Sequence, residues 1–138
     1  MQTILTYLSI LCTSIFLQAQ NTIEVTVTGF SSEEGKAVIG LYNEKGDFLE
    51  NEFRGGFEDI ENYKVNMSFI DVPDGIYAVS VFHDEDNDQD FDMIFGIIAL
   101  EDYGNSNNIP PRFGPPEWED AKFEVKNGAV VKTHIKLL

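Results

Sequence analysis

Cysteine is almost missing from this chain: the single one, Cys12, sits in the first apolar stretch. Residues 20–138 therefore hold no disulfide, thiolate metal site or cysteine nucleophile. Basic side chains are scarce too, 9 Lys and Arg against 24 Asp and Glu, for a formal charge of −15. A surface of that sign repels nucleic acid and anionic lipid, which leaves cations and basic surfaces as partners. Histidine occurs only at 83 and 134. That is too few for a multi-imidazole zinc set, and no nucleophile with a paired base stands out, so a metal-dependent hydrolase is the weakest reading. Helical periodicity, internal repeats and linkers are also missing.

What is present is enough for one domain. The 138 residues are 43% hydrophobic and include 11 Phe, which supports a buried core in spite of the charge. Residues 1–19, "MQTILTYLSILCTSIFLQA", carry no charged side chain and an apolar run from Ile4 to Leu17. Such a run is short for a membrane span and ends in small and polar residues, as a signal peptide does. Cleavage after Leu17-Gln18-Ala19 predicts a mature chain of residues 20–138, secreted or periplasmic, without a transmembrane segment. A lipoprotein signal would place a small residue before Cys12, and Leu11 is not small.

Alternation of period 2 dominates the mature part. Ile23, Val25 and Val27 face one way in "TIEVTVTG", and Ala37, Ile39 and Leu41 repeat the pattern in "KAVIGLYN". Tyr63, Val65, Met67 and Phe69 alternate with Lys64, Asn66 and Ser68. After the Pro73-Asp74-Gly75 turn, Ile76 to His83 is apolar on both faces and reads as a central strand. Asn127-Gly128 suits a type I′ turn joining Phe123–Val125 to Val131–Ile135 as a hairpin. A short turn of helix fits only within 47–61. The spacing predicts an all-β fold: a small antiparallel β-sandwich of immunoglobulin-like or transthyretin-like type, about seven strands, with an open barrel as the alternative. Residues 83–116 read as one long irregular loop, a length usually tied to function.

Within that loop, "HDEDNDQDFD" places Asp84, Asp86, Asp88, Asp90 and Asp92 at every second position, with Glu85 between. Extended, such neighbours lie roughly 6 Å apart and each pair costs about 0.7 kcal/mol even in water. Either the tip is simply solvated or a hard cation neutralises it. Calcium takes six to eight oxygens, and D-x-D-x-D spacing wraps a short loop around it. An EF-hand is excluded, since Gln89 stands where its glycine belongs and Phe95 where its bidentate Glu belongs. The candidate ligands are Asp84, Asp86, Asp88 and Asp92, with Glu101 or Asp102 as the missing bidentate group and His83 as ligand or loop anchor. Asp90 and Glu85 are then outward charges, and His134, between Lys132-Thr133 and Ile135-Lys136, faces solvent. Tyr103, Ser106, Asn107 and Trp118 form a candidate ligand surface; the competing reading has the aromatics Tyr103, Phe113 and Trp118 fill satellite cores.

The run "DGIYAVSVFHDEDNDQDFD", then "FG", "EDYGNSNN" and "PPEWEDAKFEV" resembles the uncharacterised secreted bacterial domain-of-unknown-function family numbered 2141. On that resemblance His83, Asp84, Asp86, Asp88 and Asp92 fall on its H-D-x-N-x-N-G-x-x-D loop. Glu101, Tyr103, Gly104, Ser106 and Asn107 fall on its E-x-Y-G-x-S-N motif. Gln89 replaces the usual Gly and Ile98 the usual Pro. The resemblance implies a small secreted β-sandwich and no particular activity. The sequence thus leads to an exported, non-enzymatic, monomeric module binding calcium or a similar divalent cation. The alternative is an envelope protein that binds carbohydrate or peptide, with a metal-free acidic loop.

Overall fold

Most of the inward sets read from the sequence are buried in the structure, a computed structural model that describes residues 20–90, 93–94, 98–99 and 101–138. The expected leader and Asp92 lie outside the described residues. The strands are β1 (Asn21–Thr28), β2 (Lys36–Tyr42), β3 (Arg54–Asp59), β4 (Lys64–Val72), β5 (Gly75–Asp84), β6 (Met93–Ile94), β7 (Ile98–Ala99), β8 (Tyr103–Asn105), β9 (Phe123–Val125) and β10 (Val130–Lys136). One short helix, α1 (Trp118–Ala121), precedes β9. A three-stranded sheet runs β10-β1-β4 and a five-stranded one β3-β2-β5-β8, with β9 also on β5. Among the described residues, β6 and β7 pair only with each other.

The fold is an all-β sandwich because each sheet must cover one apolar face. Ile23, Val25, Val27, Val65, Phe69 and Ile135 of the smaller sheet join Ala37, Ile39, Leu41, Val79, Val81 and Val125 of the larger in one core cluster. Each large aliphatic side chain buried there contributes roughly 1.5–3 kcal/mol. A second cluster sits on the outer face of β5, where Trp118 and Ala121 cover Ala78 with Tyr42 and Phe48 against them. Strand β5 is therefore covered on both faces, as its apolar sequence requires.

Several expectations are corrected. Asn127 and Gly128 do have positive φ, 61° and 67°, but the flanking strands do not form a hairpin. β9 pairs antiparallel with β5, whereas β10 crosses to the other sheet and runs parallel to β1. The turn thus joins two sheets, and the fold is not wholly antiparallel. Residues 54–59 form edge strand β3, and the helical turn lies earlier, a 3-10 turn at Lys45–Asp47. Tyr63 is not in the inward set; it sits in a turn at φ 57° and is exposed. The stretch 83–116 is not one irregular loop, since β6, β7 and β8 lie within it.

The "YGNSNN" segment closes one side of the sandwich. Ser106 Oγ accepts the Val79 N–H at 3.0 Å and donates to the Ala121 carbonyl at 2.5 Å. Asn107 Nδ2 donates to the carbonyls of Asp120 and Lys122, at 2.8 and 3.0 Å, at the end of α1. Asn108 reaches the other sheet, donating to His134 O at 2.7 Å and accepting from Lys136 N at 2.8 Å. Gly104 must be small here, because a Cβ would lie 2.6 Å from Ile135 Cγ2.

Candidate functional site

Strand parity divides the acidic segment into two sets of ligands. Successive side chains of a strand point to opposite faces. In β5, Tyr77, Val79, Val81 and His83 face the core, so Asp84 is directed to the outer face with Ser80 and Phe82. The alternation persists beyond the strand. Asp84, Asp86 and Asp88 bring carboxylate oxygens within 4.8 Å of one another, and His83, Glu85 and Asp102 do the same as a separate group.

The first group is a loop folded on its own carboxylates. Asp84, 1% exposed, accepts the Asp88 N–H on Oδ1 at 3.2 Å and the Gln89 N–H on Oδ2 at 3.0 Å. Asp86 Oδ1 also accepts from Asp88 N, at 3.2 Å, and Asp88 Oδ1 accepts from Asp90 N at 2.8 Å. Asn87 and Gln89 take positive φ, 61° and 69°, which lets the chain curl tightly enough to converge the side chains. Three carboxylates this close repel by about 0.9 kcal/mol per pair in water and about 3.5 kcal/mol at an effective dielectric near 20. The backbone N–H groups offset part of that charge.

The second group centres on a fully buried imidazole. His83 Nε2 lies 2.7 Å from the Glu34 carbonyl oxygen, which can only accept, so Nε2 carries a proton. Phe30 meets the ring edge-on at 5.2 Å and fixes its plane. Nδ1 is buried and has no hydrogen-bond partner among the described residues. Glu85 Oε1 lies 3.5 Å from it and is held from behind by the Ser31 hydroxyl at 2.7 Å. Asp102 arrives by register: Phe82 pairs with Tyr103, and the next rung is the His83 N–H to Asp102 O bond at 2.8 Å. Gly35, φ 72°, allows the 31–35 turn to press on this corner, since a Cβ there would lie 1.9 Å from Asp84 O.

The sequence-predicted residues thus separate. His83 is not in the aspartate group. Glu101 is nine-tenths buried and falls opposite Asp84 when the β5–β8 register is continued, yet it is in neither converging group. Glu85 is half exposed, as an outward charge would be, and its Oε1 also accepts from Ser31 and lies 3.5 Å from His83 Nδ1. Asp90 is exposed. Ser106, Asn107 and Trp118 are occupied in holding the fold: Ser106 is buried, Asn107 ties α1 to β9, and Trp118 packs edge-on against Phe48 at 5.8 Å. Asn107 nonetheless stays exposed, and Trp118 lines a surface cleft with Phe48 and Pro116. Tyr103 lines a cleft of about 120 Å³ with Tyr42, Phe82 and Pro116, below the size that usually holds a small organic ligand. Phe113 is exposed rather than part of a satellite core.

Sequence reasoning offered Asp102 only as an alternative to Glu101 in the aspartate site, and grouped neither it nor Glu85 with His83. The His-x-Glu spacing was a signal for Glu85, since i and i+2 share a face. Nothing local places Asp102 beside His83, which strand pairing does. Among the described residues, no helix is long and apolar enough to cross a membrane. No curated protein and no solved structure matches the chain. Residues 25–133 match the family described as "Uncharacterized protein conserved in bacteria (DUF2141)", spanning both sheets and the acidic loop, and the chain belongs to that family.

Proposed function

We propose that the protein is an exported, non-enzymatic β-sandwich module whose outer-face loop holds calcium or a similar hard divalent cation through Asp84, Asp86 and Asp88. The observation that carries this reading is the convergence of three carboxylates within 4.8 Å, anchored by the buried Asp84. Hard oxygens at D-x-D-x-D spacing suit calcium, and a fixed Asp84 limits the ordering entropy that binding must cost. Export rests on the uncharged apolar run of residues 1–19. An envelope glycan or peptide as ligand draws less support, because Ser106, Asn107 and Trp118 are engaged in the fold.

A loop site on an exported module should be weak, with a dissociation constant on the order of 10⁻⁴ to 10⁻³ M. At a hundredfold excess, calcium then adds about 2.7 kcal/mol to stability, seen as a raised melting temperature. Magnesium adds less, because it gives up its water reluctantly. Sodium chloride at matched ionic strength is the control, since screening alone also relieves crowded carboxylates. A calcium effect no larger than the sodium chloride effect would leave the loop a solvated acidic tip.

A further inference from the structure

We propose that His83, Glu85 and Asp102 form a second, separate site for a borderline divalent transition ion of the zinc class. The site does not depend on calcium in the aspartate loop, from which it shares no ligand. Its starting point is an orphaned atom: Nδ1 of His83, in a residue 0% exposed, has no hydrogen-bond partner among the described residues. With the proton on Nε2, the Nδ1 lone pair faces the Glu85 carboxylate at 3.5 Å. Two electron-rich atoms thus face each other where the buried ring meets the half-exposed Glu85 side chain, and a cation between them would relieve that contact.

A proton is the simplest candidate, and the spacing argues against it. A charge-assisted hydrogen bond would draw nitrogen and oxygen to about 2.7–2.9 Å. A zinc ion with ligands at about 2.0–2.2 Å in tetrahedral array instead holds them about 3.3–3.4 Å apart, close to the observed separation. Asp102 supplies the third vertex within 4.8 Å, leaving a fourth for water. The chemistry of the set also selects the ion: imidazole nitrogen suits zinc and its neighbours, whereas calcium wants oxygen throughout. Finally, the surroundings are those of a ligating histidine. Nε2–H is satisfied by a backbone carbonyl, which fixes the tautomer with Nδ1 free, and Ser31 orients the carboxylate.

The test is calorimetric titration of tag-free, chelator-treated protein with zinc(II) in saturating calcium, alongside ring-nitrogen NMR of His83. One equivalent should bind, with the Nδ1 resonance moving on saturation while Nε2 keeps its proton. Glu85→Gln and Asp102→Asn should each weaken zinc by at least about tenfold, and Ser31→Ala by less. These variants leave the buried ring in place, so the test does not depend on His83→Gln, which alone could disturb folding. Asp86→Asn and His134→Gln should bind zinc like the wild type, while Asp86→Asn loses the calcium-induced melting shift if the loop reading holds. Absence of zinc binding would overturn the proposal, as would binding that survives both Glu85→Gln and Asp102→Asn, or binding abolished by His134→Gln or Asp86→Asn. Nδ1 remaining protonated at saturating zinc would show a His83–Glu85 ion pair instead and would overturn it equally.

Discussion

Asn21 and Asp74, 53 positions apart, are joined at 2.8 Å from Asn21 Nδ2 to Asp74 Oδ1. The same amide donates to Val72 O at 2.8 Å and accepts the Ala129 N–H at 2.9 Å, and Asp74 accepts the Asn127 N–H at 3.2 Å. One fully buried side chain thus pins the start of β1, the β4–β5 turn and the 127–129 turn together. It fixes the point where the chain leaves β9 in one sheet for β10 in the other.

Asn21→Ala should therefore cost about 2–3 kcal/mol, since it leaves buried groups on three segments without a partner. Asn21→Asp, nearly isosteric, should cost at least as much at neutral pH, because Nδ2 becomes an oxygen facing Asp74. Urea denaturation of the two variants checks both statements. An Asp variant as stable as the wild type would show that the amide's donor side contributes nothing.

This pin also shows where sequence reading stops. The apolar alternation of β1, β2, β4 and β5 was legible because one buried face imposes period 2 on the residues themselves. The turn at Asn127-Gly128 was legible for the same local reason. Its topology was not: which sheet β10 joins is decided by Asn21 and by the parallel register with β1, far away in the chain. Strand β3 escaped notice because Gly55-Gly56 interrupts its pattern; the Met67 methyl packs on Gly56, 2.5 Å from where a Cβ would lie. In the site, D-x-D-x-D announced itself, while the placing of Asp102 beside His83 rather than in the aspartate group comes from the rung between them.

Alkaline pH should weaken the fold through Tyr42. Burial, with the charge of Glu52 adding to it, raises its phenol above the ordinary value near 10. A group whose folded pKa is raised stabilises below its unfolded pKa, and that contribution is lost as pH climbs from about 10 through the folded value. Tyr42→Phe keeps the packing on Phe48 and should flatten the fall in melting temperature between about pH 9 and 11. Tyr77, raised mainly by burial, keeps part of the slope. An unchanged alkaline limb in the Phe variant would remove Tyr42 from the explanation.

The last prediction concerns Gln89, which stands where the resembled family usually has glycine. Its φ of 69° shows what that position demands. A side chain in the left-handed region costs roughly 1–2 kcal/mol, while glycine costs about 0.5–1 kcal/mol through the greater freedom of the unfolded chain. Gln89→Gly should then leave stability unchanged or raise it by about 1 kcal/mol. The more telling readout is calcium. Gln89 N–H anchors Asp84 Oδ2, so relaxing this residue should hold Asp84 in its converged position more often and tighten calcium several-fold. Magnesium, limited by its own dehydration, should gain less. Gln89→Ala is the control, because alanine shortens the side chain but keeps the left-handed penalty. If alanine improves stability and calcium affinity as much as glycine does, the benefit comes from removing the Gln side chain and the backbone argument fails.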